Sequence, residues 1–402
     1  MPRVVVTGLG LVTAIGYNLK KSWDAMLDAQ DGTSEITSFD TSRYKVHRAC
    51  ELKGLNSNSA ATGTKNKYTV YDCLYVATKE ALQDSGILDY QGLEVDKVGV
   101  SVGTLAGELS TFEHRLRNHP HDKAAGFSMD VVLSYPPVTL STQLAEDFHI
   151  EGPSVILINA CSSGNHAMCW AFDMLQEQKV DAMIVGGSDV VPQTEFTHFH
   201  NLKALAPERC QPFDKNRQGL VVGAGAGVLV LETLKHATKR GANIYAEMKG
   251  YGLSSDGYHM TAPHPKGEGA IRAMETALTR SKLSYKDISY ISAHGTGTPL
   301  NDKMETLALK AVFKERAQEV PCSSVKSMIG HTMGAASAIE SIVCCQAIRS
   351  GSLPPTINYE TKDPECDLDC VPNEARNKEV EFALNNSFAF GGNNASIVFG
   401  RV

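Results

Sequence analysis

The stretch SVILINACSSGNHAMCWAFDML, Ser154–Leu175, determines how the fold of this chain is interpreted. Its apolar, β-branched beginning predicts a strand that stops at Cys161, and the Ser-Ser-Gly that follows opens a segment with helical spacing. A cysteine at such a strand-to-helix corner has its sulfur at the positive end of the new helix, which favours a thiolate. Cys161 is therefore a candidate nucleophile, although most cysteines are only buried apolar side chains.

The composition is that of an ordinary globular protein. With 402 residues and 42% hydrophobic content the chain can bury a large core. The 38 basic and 45 acidic residues give a net charge of -7, which argues against binding to nucleic acid or anionic membranes. No apolar run approaches the roughly 18 residues of a membrane span. Ten cysteines, without a signal peptide or paired metal-ligand spacing, indicate reduced thiols and no metal site. We expect a soluble, cytoplasmic protein.

The order of predicted elements repeats along the chain. The first half has predicted strands over 3–9, 97–104, 180–189 and 225–233 and a helix over 70–84, and Ser154–Leu175 adds a further strand and helix. The second half follows the same order. It has a strand over 244–251, a helix over 269–281, a strand over 287–298, a strand, loop and long helix over 321–351, and closing strands over 380–386 and 393–399. The repeat predicts two α/β units of one architecture, 1–241 and 242–402.

Three reactive side chains stand at matching places in these units. Cys161 ends a strand of the first unit, and His294 ends a strand of the second. His331 lies in the loop that opens the long helix, which is the counterpart of the helix after Cys161. Because matching strand ends of such units meet across a crevice, we expect the three to converge. A cysteine with two histidines can carry an acyl group and manage charge on a second substrate.

The stretch NNSFAFGGNN, residues 385–394, offers a strand end, two phenylalanines and a Gly-Gly pair. It could be only a tight turn before the last strand. If the turn abuts the crevice, its backbone N–H groups could face a developing oxyanion, where one donor contributes about 3 kcal/mol. Phe388 and Phe390 could then serve as a lid.

Four of these motifs together resemble the β-ketoacyl-acyl carrier protein synthases, and in particular the elongating synthase II type. They are ACSSG (160–164), AHGTGT (293–298), KSMIGH (326–331) and NSFAFGG (386–392), and the likeness extends essentially from end to end. The resemblance implies a thiolase fold of the α/β class, with two similar βαβαβαββ halves in a five-layered α-β-α-β-α arrangement. It also implies a homodimer, or a heterodimer with a second synthase-like subunit.

The resemblance implies a decarboxylative Claisen condensation. Cys161 would take the acyl chain from the phosphopantetheine of an acyl carrier protein as a thioester. His294 and His331 would promote decarboxylation of malonyl-acyl carrier protein, and the enolate would attack the acyl-cysteine and extend the chain by two carbons. The pathway would be fatty acid or type II polyketide or polyene biosynthesis, and no cofactor would be tightly bound.

Supporting roles also follow from the resemblance alone. Lys326 is expected to pair with Glu305. Glu340, one helix further on, is expected to support the site without touching the substrate. The amides of Cys161 and Phe390 would form the oxyanion hole. The remaining expected roles are gating for Phe390 with Phe388 and Gly391, pantetheine binding for Thr296 and Thr298, and support of the gate by a loop containing Asp256 and His259.

The chain departs from the family pattern at three places. Asn159 stands where synthase II proteins often have threonine. Ala389 replaces a glycine of the gate and should stiffen it. Ala106, in GTLAGEL at 103–109, is small where relatives place a larger residue that limits acyl length. These departures leave a polyketide or polyene pathway open.

Other interpretations are weaker. A non-catalytic chain-length-factor-like subunit would lack the nucleophilic cysteine, and thiolases and synthase III enzymes use other residue sets around it. A carrier-protein patch is suggested by charge alone at Lys65, Lys67, Lys203 and Arg209.

Overall fold

A computed structural model describes residues 1–55, 68–118, 132–133 and 135–402. Its strands are β1 (Val4–Val12), β2 (Ser34–Glu35), β3 (Arg48–Ala49), β4 (Val98–Gly103), β5 (Ser154–Leu157), β6 (Ala182–Asp189), β7 (Gly225–Thr233), β8 (Ala246–Ser255), β9 (Tyr290–Ser292), β10 (Cys322–Ser323), β11 (Ser352–Leu353), β12 (Arg376–Asn377), β13 (Phe382–Phe388) and β14 (Asn393–Gly400). Its α-helices are α1 (Leu19–Leu27), α2 (Val70–Ser85), α3 (Leu109–Asn118), α4 (Val138–Asp147), α5 (Ser163–Gln176), α6 (Gln193–Asn201), α7 (Leu234–Lys239), α8 (Glu268–Ser281), α9 (Pro299–Phe313), α10 (Lys326–Ile329) and α11 (Ala336–Ser350).

Ten strands hydrogen bond in the order β10-β9-β13-β14-β8-β1-β7-β6-β4-β5. The order consists of two five-stranded sheets, each arranged as third, second, fourth, fifth and first strand of its half. In both sheets the second strand pairs in parallel with the third and fourth, and the fifth pairs antiparallel with the fourth and first. The repeated architecture is thus confirmed, whereas the boundary between residues 241 and 242 remains a prediction.

The two sheets are joined at their first strands. Val4–Val6 of β1 pair antiparallel with residues 246–248 of β8, so that the hydrogen bonding continues from one half into the other. All nine residues of β1 are buried, as expected for a strand covered on both faces. The hydrogen-bonded strands of the two halves are therefore continuous, ten in all.

Helices complete a five-layered arrangement. α5 and α11 lie side by side in the middle layer and contact strands of both sheets, while α2 covers the first sheet and α8 covers the second. A Cβ added to Gly164 would lie 2.8 Å from the backbone nitrogen of Ala338, so glycine allows the two middle helices to meet immediately after Cys161. The thiolase-like layering is therefore confirmed. None of the helices in the described ranges is long and apolar enough to cross a membrane.

One predicted strand is much shorter than expected. The strand predicted over 287–298 extends only over Tyr290–Ser292. Gly295 and Gly297 then have φ angles of +36° and +76°, which a strand cannot accommodate. The chain instead forms a loop that carries His294 and leads to α9.

Candidate active site

A cavity of about 330 Å³ opens between the two halves. Its walls include most of the predicted site residues, namely Cys161, His294, Thr296, Thr298, His331, Phe388 and Phe390. Lys326, Glu305 and Glu340 are buried behind this lining. The tertiary structure thus brings together side chains that are up to 229 residues apart in the sequence (Cys161 and Phe390).

Cys161 lies in a tight turn between β5 and α5. The turn is a single 3-10 segment, Ala160–Ser162, and Ala160 has a φ of +49°, a conformation that an L-residue adopts only at an energetic cost. Ser163 stabilises the turn, because its Oγ accepts the Asn159 N–H at 2.8 Å and donates to the Ala160 carbonyl at 2.7 Å. The predicted strand-to-helix corner is present.

The second half contains a matching turn. Met333, with a φ of +50°, begins the 3-10 segment Met333–Ala335 that leads into α11, just as Ala160 begins the one that leads into α5. His331 precedes this turn and is held by the first half of the chain, since its N–H donates to the Val221 carbonyl at 2.7 Å and its carbonyl accepts the Gly223 N–H at 2.9 Å. The repeat therefore positions His331 opposite Cys161.

Cys161 is protonated at neutral pH in this setting. Burial raises the pKa of its thiol to about 12, against the lowering effects of the Lys326 charge and the backbone N–H groups of Phe390 and Cys161. The prediction that the helix end would hold a thiolate is wrong, because the loss of hydration outweighs the favourable field. The sulfur must therefore lose its proton during the reaction.

The two histidines are neutral and have the same tautomer. Burial, with the charge of Lys326, lowers the pKa of each imidazole well below its usual 6.5. The Met333 N–H donates to Nδ1 of His331 at 3.1 Å, and Lys326 Nζ lies 3.5 Å from Nδ1 of His294. Because both Nδ1 atoms accept, both Nε2 atoms carry the proton. The site thus has two neutral N–H donors.

The histidine rings and the sulfur form a compact group. The ring centroids of His294 and His331 are 5.6 Å apart, and the planes are inclined at 84°. One nitrogen of each ring and the Cys161 sulfur lie within 4.8 Å of one another, a spacing that a metal ion could also use. A carbonyl oxygen placed between the rings could accept from both Nε2–H groups.

Lys326 pairs with Glu340, not with Glu305 as predicted. Its side chain is only 1% exposed and forms an ion pair with Glu340. Glu305 instead accepts the N–H groups of His294 at 2.8 Å and of Gly295 at 2.7 Å. The left-handed Gly295 directs two successive amides to one side, where Glu305 meets them. Burial raises the pKa values of Glu305 and Glu340 to about 7.

Phe390 approaches Cys161 through both its backbone and its ring. Its N–H hydrogen bonds to the sulfur, as does the N–H of Cys161 itself, so both amides of the predicted oxyanion hole face the reacting atom. The ring of Phe390 packs at 5.8 Å from that of Phe199, and the ring of Phe388 lies 6.0 Å from that of His294.

A neighbouring loop fastens this gate. The Gly391 N–H donates to the Met260 carbonyl at 2.7 Å, and the Asp256 N–H donates to the Gly392 carbonyl at 2.9 Å. Nδ2 of Asn394 adds a bond of 2.8 Å to Asp256. By contrast, Nδ1 of His259 accepts the N–H groups of Thr261 and Ala262, so it shapes its own turn.

The remaining predicted residues are placed as follows. Thr296 and Thr298 line the cavity with their hydroxyl oxygens 2.9 Å apart. Ala106 is not among the described residues that line it, and its N–H faces Asp189 at 3.4 Å. Lys203 is exposed at the mouth, Arg209 forms an ion pair with Glu360, and Lys65 and Lys67 lie outside the described residues.

Sequence reasoning missed α6 and the residue at the end of β6. Phe199 of α6 contacts the gate, and Asp189 of β6 accepts from the Thr104 hydroxyl and from the N–H groups of Leu105 and Gly334. Asp189 thereby ties the loop containing Ala106 to the turn after His331. The helical spacing of residues 193–201 was the signal available for α6.

Comparison with known proteins identifies the family. Residues 1–237 match the family model of the beta-ketoacyl synthase N-terminal domain, and residues 245–360 match that of the C-terminal domain. The chain is 38% identical to 3-oxoacyl-[acyl-carrier-protein] synthase 2 of Staphylococcus aureus strain N315, over 99% of this chain and 98% of the relative.

Solved structures agree over the whole chain. The ishigamide ketosynthase/chain length factor superposes with a TM-score of 0.91 at 35% identity, covering 100% of this chain and 99% of the other. A ketosynthase solved with its type II PKS acyl-carrier protein and bound to a hexaketide superposes with a TM-score of 0.90 at 29% identity, over 100% and 99%. The protein described here belongs to the beta-ketoacyl synthase family.

Proposed function

We propose that this protein extends an acyl chain by two carbons through decarboxylative Claisen condensation, with the acyl group held on Cys161. The observation that carries the proposal is the placement of the Cys161 sulfur beside two neutral imidazoles whose Nε2 atoms carry the proton. This arrangement separates two tasks, because the sulfur forms the covalent bond and the imidazoles stabilise charge on the second substrate.

The first step is a thioester exchange. The Cys161 sulfur attacks the acyl carbonyl of the donor thioester, and the developing oxyanion is stabilised by the N–H groups of Cys161 and Phe390. A bond forms between the sulfur and the acyl carbon, the bond to the donor sulfur breaks, and the proton of Cys161 passes to the departing thiol. Since burial keeps the thiol protonated, the exchange needs this proton transfer.

The second step consumes a malonyl thioester. Its carbonyl oxygen accepts from Nε2–H of His294 and of His331, which stabilises the enolate that forms as the bond to the carboxylate breaks and CO₂ leaves. The enolate carbon attacks the acyl-cysteine carbonyl, and the bond to Cys161 breaks. The thiolate that leaves takes up a proton from solvent, and the product is a β-ketoacyl thioester with two more carbons.

Lys326 supports the second step from behind the cavity. Its Nζ lies 2.7 Å from the His294 carbonyl and 3.5 Å from Nδ1 of the same residue. It thus holds both the loop and the tautomer, and Glu340 offsets its buried charge. Lys326 is in this proposal a positioning residue.

The carrier of both substrates is proposed to be an acyl carrier protein, because the curated relatives are 3-oxoacyl-[acyl-carrier-protein] synthases. We propose that Thr296 and Thr298 hold its pantetheine arm in the cavity, and that the protein works as a homodimer or with a second synthase-like subunit. A purely structural, chain-length-factor-like role is not favoured, since Cys161, His294 and His331 are assembled in one site.

The proposal is tested with purified protein, an acyl thioester and malonyl-acyl carrier protein. We expect intact-mass spectrometry to show the acyl group on Cys161, followed by a carrier-bound product two carbons longer. The rate should survive dialysis against a chelator. Failure of Cys161 to become acylated, or a rate restored only by a metal ion, would contradict the proposal.

A further inference from the structure

Glu195, in the first turn of α6, has a buried carboxyl whose hydrogen-bonding capacity is not fully used by the described residues. It is 7% exposed, and its Oε1 atom is fully buried without a hydrogen-bond partner among the described residues. Buried polar atoms are nearly always hydrogen bonded, so an exception calls for an explanation. The reaction steps above do not use this residue.

The position of Glu195 on its helix directs it towards the gate. Glu195 and Phe199 are four residues apart and share one face of α6. Phe199 lines the cavity that contains Cys161 and packs against the ring of Phe390. Glu195 therefore lies one helical turn before Phe199 on the face that meets the gate.

The cavities on either side define its position further. A second cavity, of about 380 Å³, is lined by residues 190–192 just before α6, by Gln193 at the start of α6 and by Glu113. Glu195 interacts electrostatically with Glu113 on that side and with Cys161 on the other. Its carboxyl is therefore close enough to interact with groups at both cavities.

The electrostatic surroundings of this carboxyl favour its neutral form. Burial is the main cause that raises the pKa of Glu195 well above its usual 4.5, and the carboxylates of Asp189 and Glu113 add to the shift. Among the described residues, no basic side chain contributes an opposing effect. In its neutral form the group is a carboxylic acid, with one O–H donor and spare acceptor capacity.

We propose that Glu195 is a specificity-determining residue that selects acyl chains bearing a keto or hydroxyl oxygen, to which its carboxyl hydrogen bonds when the chain is on Cys161. A chain that leaves Cys161 past Phe390 and Phe199 runs along the face that carries Glu195. An oxygenated chain satisfies the unpartnered atom, whereas a saturated alkyl chain leaves it unpaired. The proposal rests on the proposed function, because it concerns the acyl group held by Cys161.

The discrimination should be measurable. Leaving a buried hydrogen-bonding group unpaired disfavours the saturated chain by about tenfold or more relative to a chain that pairs with it. The inference thus names a substrate class: partly reduced or unreduced chains that retain oxygen.

The test uses the full-length protein and pantetheine thioesters of one chain length. The protein is given one thioester at a time: octanoyl, 3-hydroxyoctanoyl, 5-hydroxyoctanoyl or 7-hydroxyoctanoyl. Acylation of Cys161 is followed by intact-mass spectrometry. We expect at least one hydroxylated chain to react about tenfold faster than octanoyl. Glu195→Leu should remove this preference, and Glu195→Gln, which keeps a donor and an acceptor, should retain most of it.

A matched control is available on the exposed face of the same helix. His198→Gln should leave the preference unchanged, since His198 is exposed. Equal rates for octanoyl and all hydroxylated chains in the unaltered protein would overturn the inference, as would an unchanged preference in Glu195→Leu that retains its thermal unfolding transition. Absence of acylation by every thioester would instead count against the proposed function itself.

Discussion

Lys326 donates a hydrogen bond from Nζ to the backbone carbonyl of His294 at 2.7 Å, while its charge is paired with Glu340. The same nitrogen lies 3.5 Å from Nδ1 of His294. One buried cation therefore shapes the histidine loop, favours the Nε2–H tautomer and lowers the pKa of both imidazoles. The chemistry of the site depends on this relationship as much as on the cysteine.

Replacing Cys161 by alanine should separate the two half-reactions. We expect condensation to fall below detection, because no thioester can form, while CO₂ is still released from malonyl-acyl carrier protein since both imidazoles remain in place. Radiolabelled CO₂ release and product mass measure the two rates. Cys169→Ala, which alters a buried cysteine on the same helix, is the control and should condense normally. Unimpaired elongation by Cys161→Ala would show that the sulfur is not the acyl carrier.

Removing the charge of Lys326 should affect both stability and catalysis. Lys326→Met leaves Glu340 buried without a partner and should lower the free energy of unfolding by about 3–5 kcal/mol. The double variant Lys326→Met/Glu340→Met should recover much of this loss, because an apolar pair replaces the ion pair. Urea unfolding measures both.

Catalysis should not recover in the double variant. Without Nζ beside Nδ1, His294 loses the partner that fixes its tautomer, and decarboxylation should stay about 100-fold slower or more. If the double variant regained the full rate together with its stability, Lys326 would have only a structural role.

The rate of decarboxylation should not decline as the pH falls from 8 to 6. A histidine with an ordinary pKa would become charged near pH 6.5, but the pKa values of His294 and His331 lie well below that. Both donors therefore stay neutral through this range. CO₂ release by Cys161→Ala at graded pH provides the measurement, and a half-maximal rate at pH 6.5 would contradict the assignment.

The low pKa values of the two histidines should also make the free energy of unfolding depend on pH. The unfolded chain protonates these histidines at about pH 6.5, whereas the folded chain does so only at lower pH. The unfolded state thus binds more protons below pH 6.5, so the two histidines make the free energy of unfolding decrease as the pH drops. His331→Asn should reduce that slope, as measured by urea unfolding at pH 6.5 and below.

The gate should respond to one methyl group at either of two neighbouring positions. Gly391 has a φ of +79°, so Gly391→Ala strains the backbone by about 1–2 kcal/mol, although a Cβ there would meet no atom closer than 3.4 Å. Ala389 has an extended conformation, φ -102° and ψ 159°, which suits alanine. We expect Gly391→Ala to slow acylation of Cys161 and Ala389→Gly to speed it by loosening the loop.

Stopped acylation reactions analysed by mass spectrometry compare these gate variants. A substitution at Gly86, which also has a positive φ but lies at the end of α2, provides a control for strain alone. If Gly86→Ala slowed acylation as much as Gly391→Ala, the effect would come from backbone strain in general and not from the gate.

Much of the site could be predicted from sequence because its motifs are local. The apolar run before Cys161 and the helical spacing after it describe the corner on their own, and the glycines beside His294 and His331 mark loops. The repeat of elements then predicted that these loops would meet, as the identical strand orders of the two sheets show. Each of these inferences needs only chain connectivity and hydrophobic periodicity.

The sequence could not predict which buried charged residues form ion pairs with one another. Lys326 could have paired with either glutamate, and only the tertiary placement of α9 and α11 puts Glu340 at its nitrogen and Glu305 at the loop amides. The protonation of Cys161 and the unpartnered oxygen of Glu195 are equally invisible in the sequence, because both depend on how completely distant segments exclude water. The sequence by itself determined the nucleophile, the histidines and the family architecture. The tertiary structure decided their charge states, since burial and long-range contacts set the energy of every ion in the site.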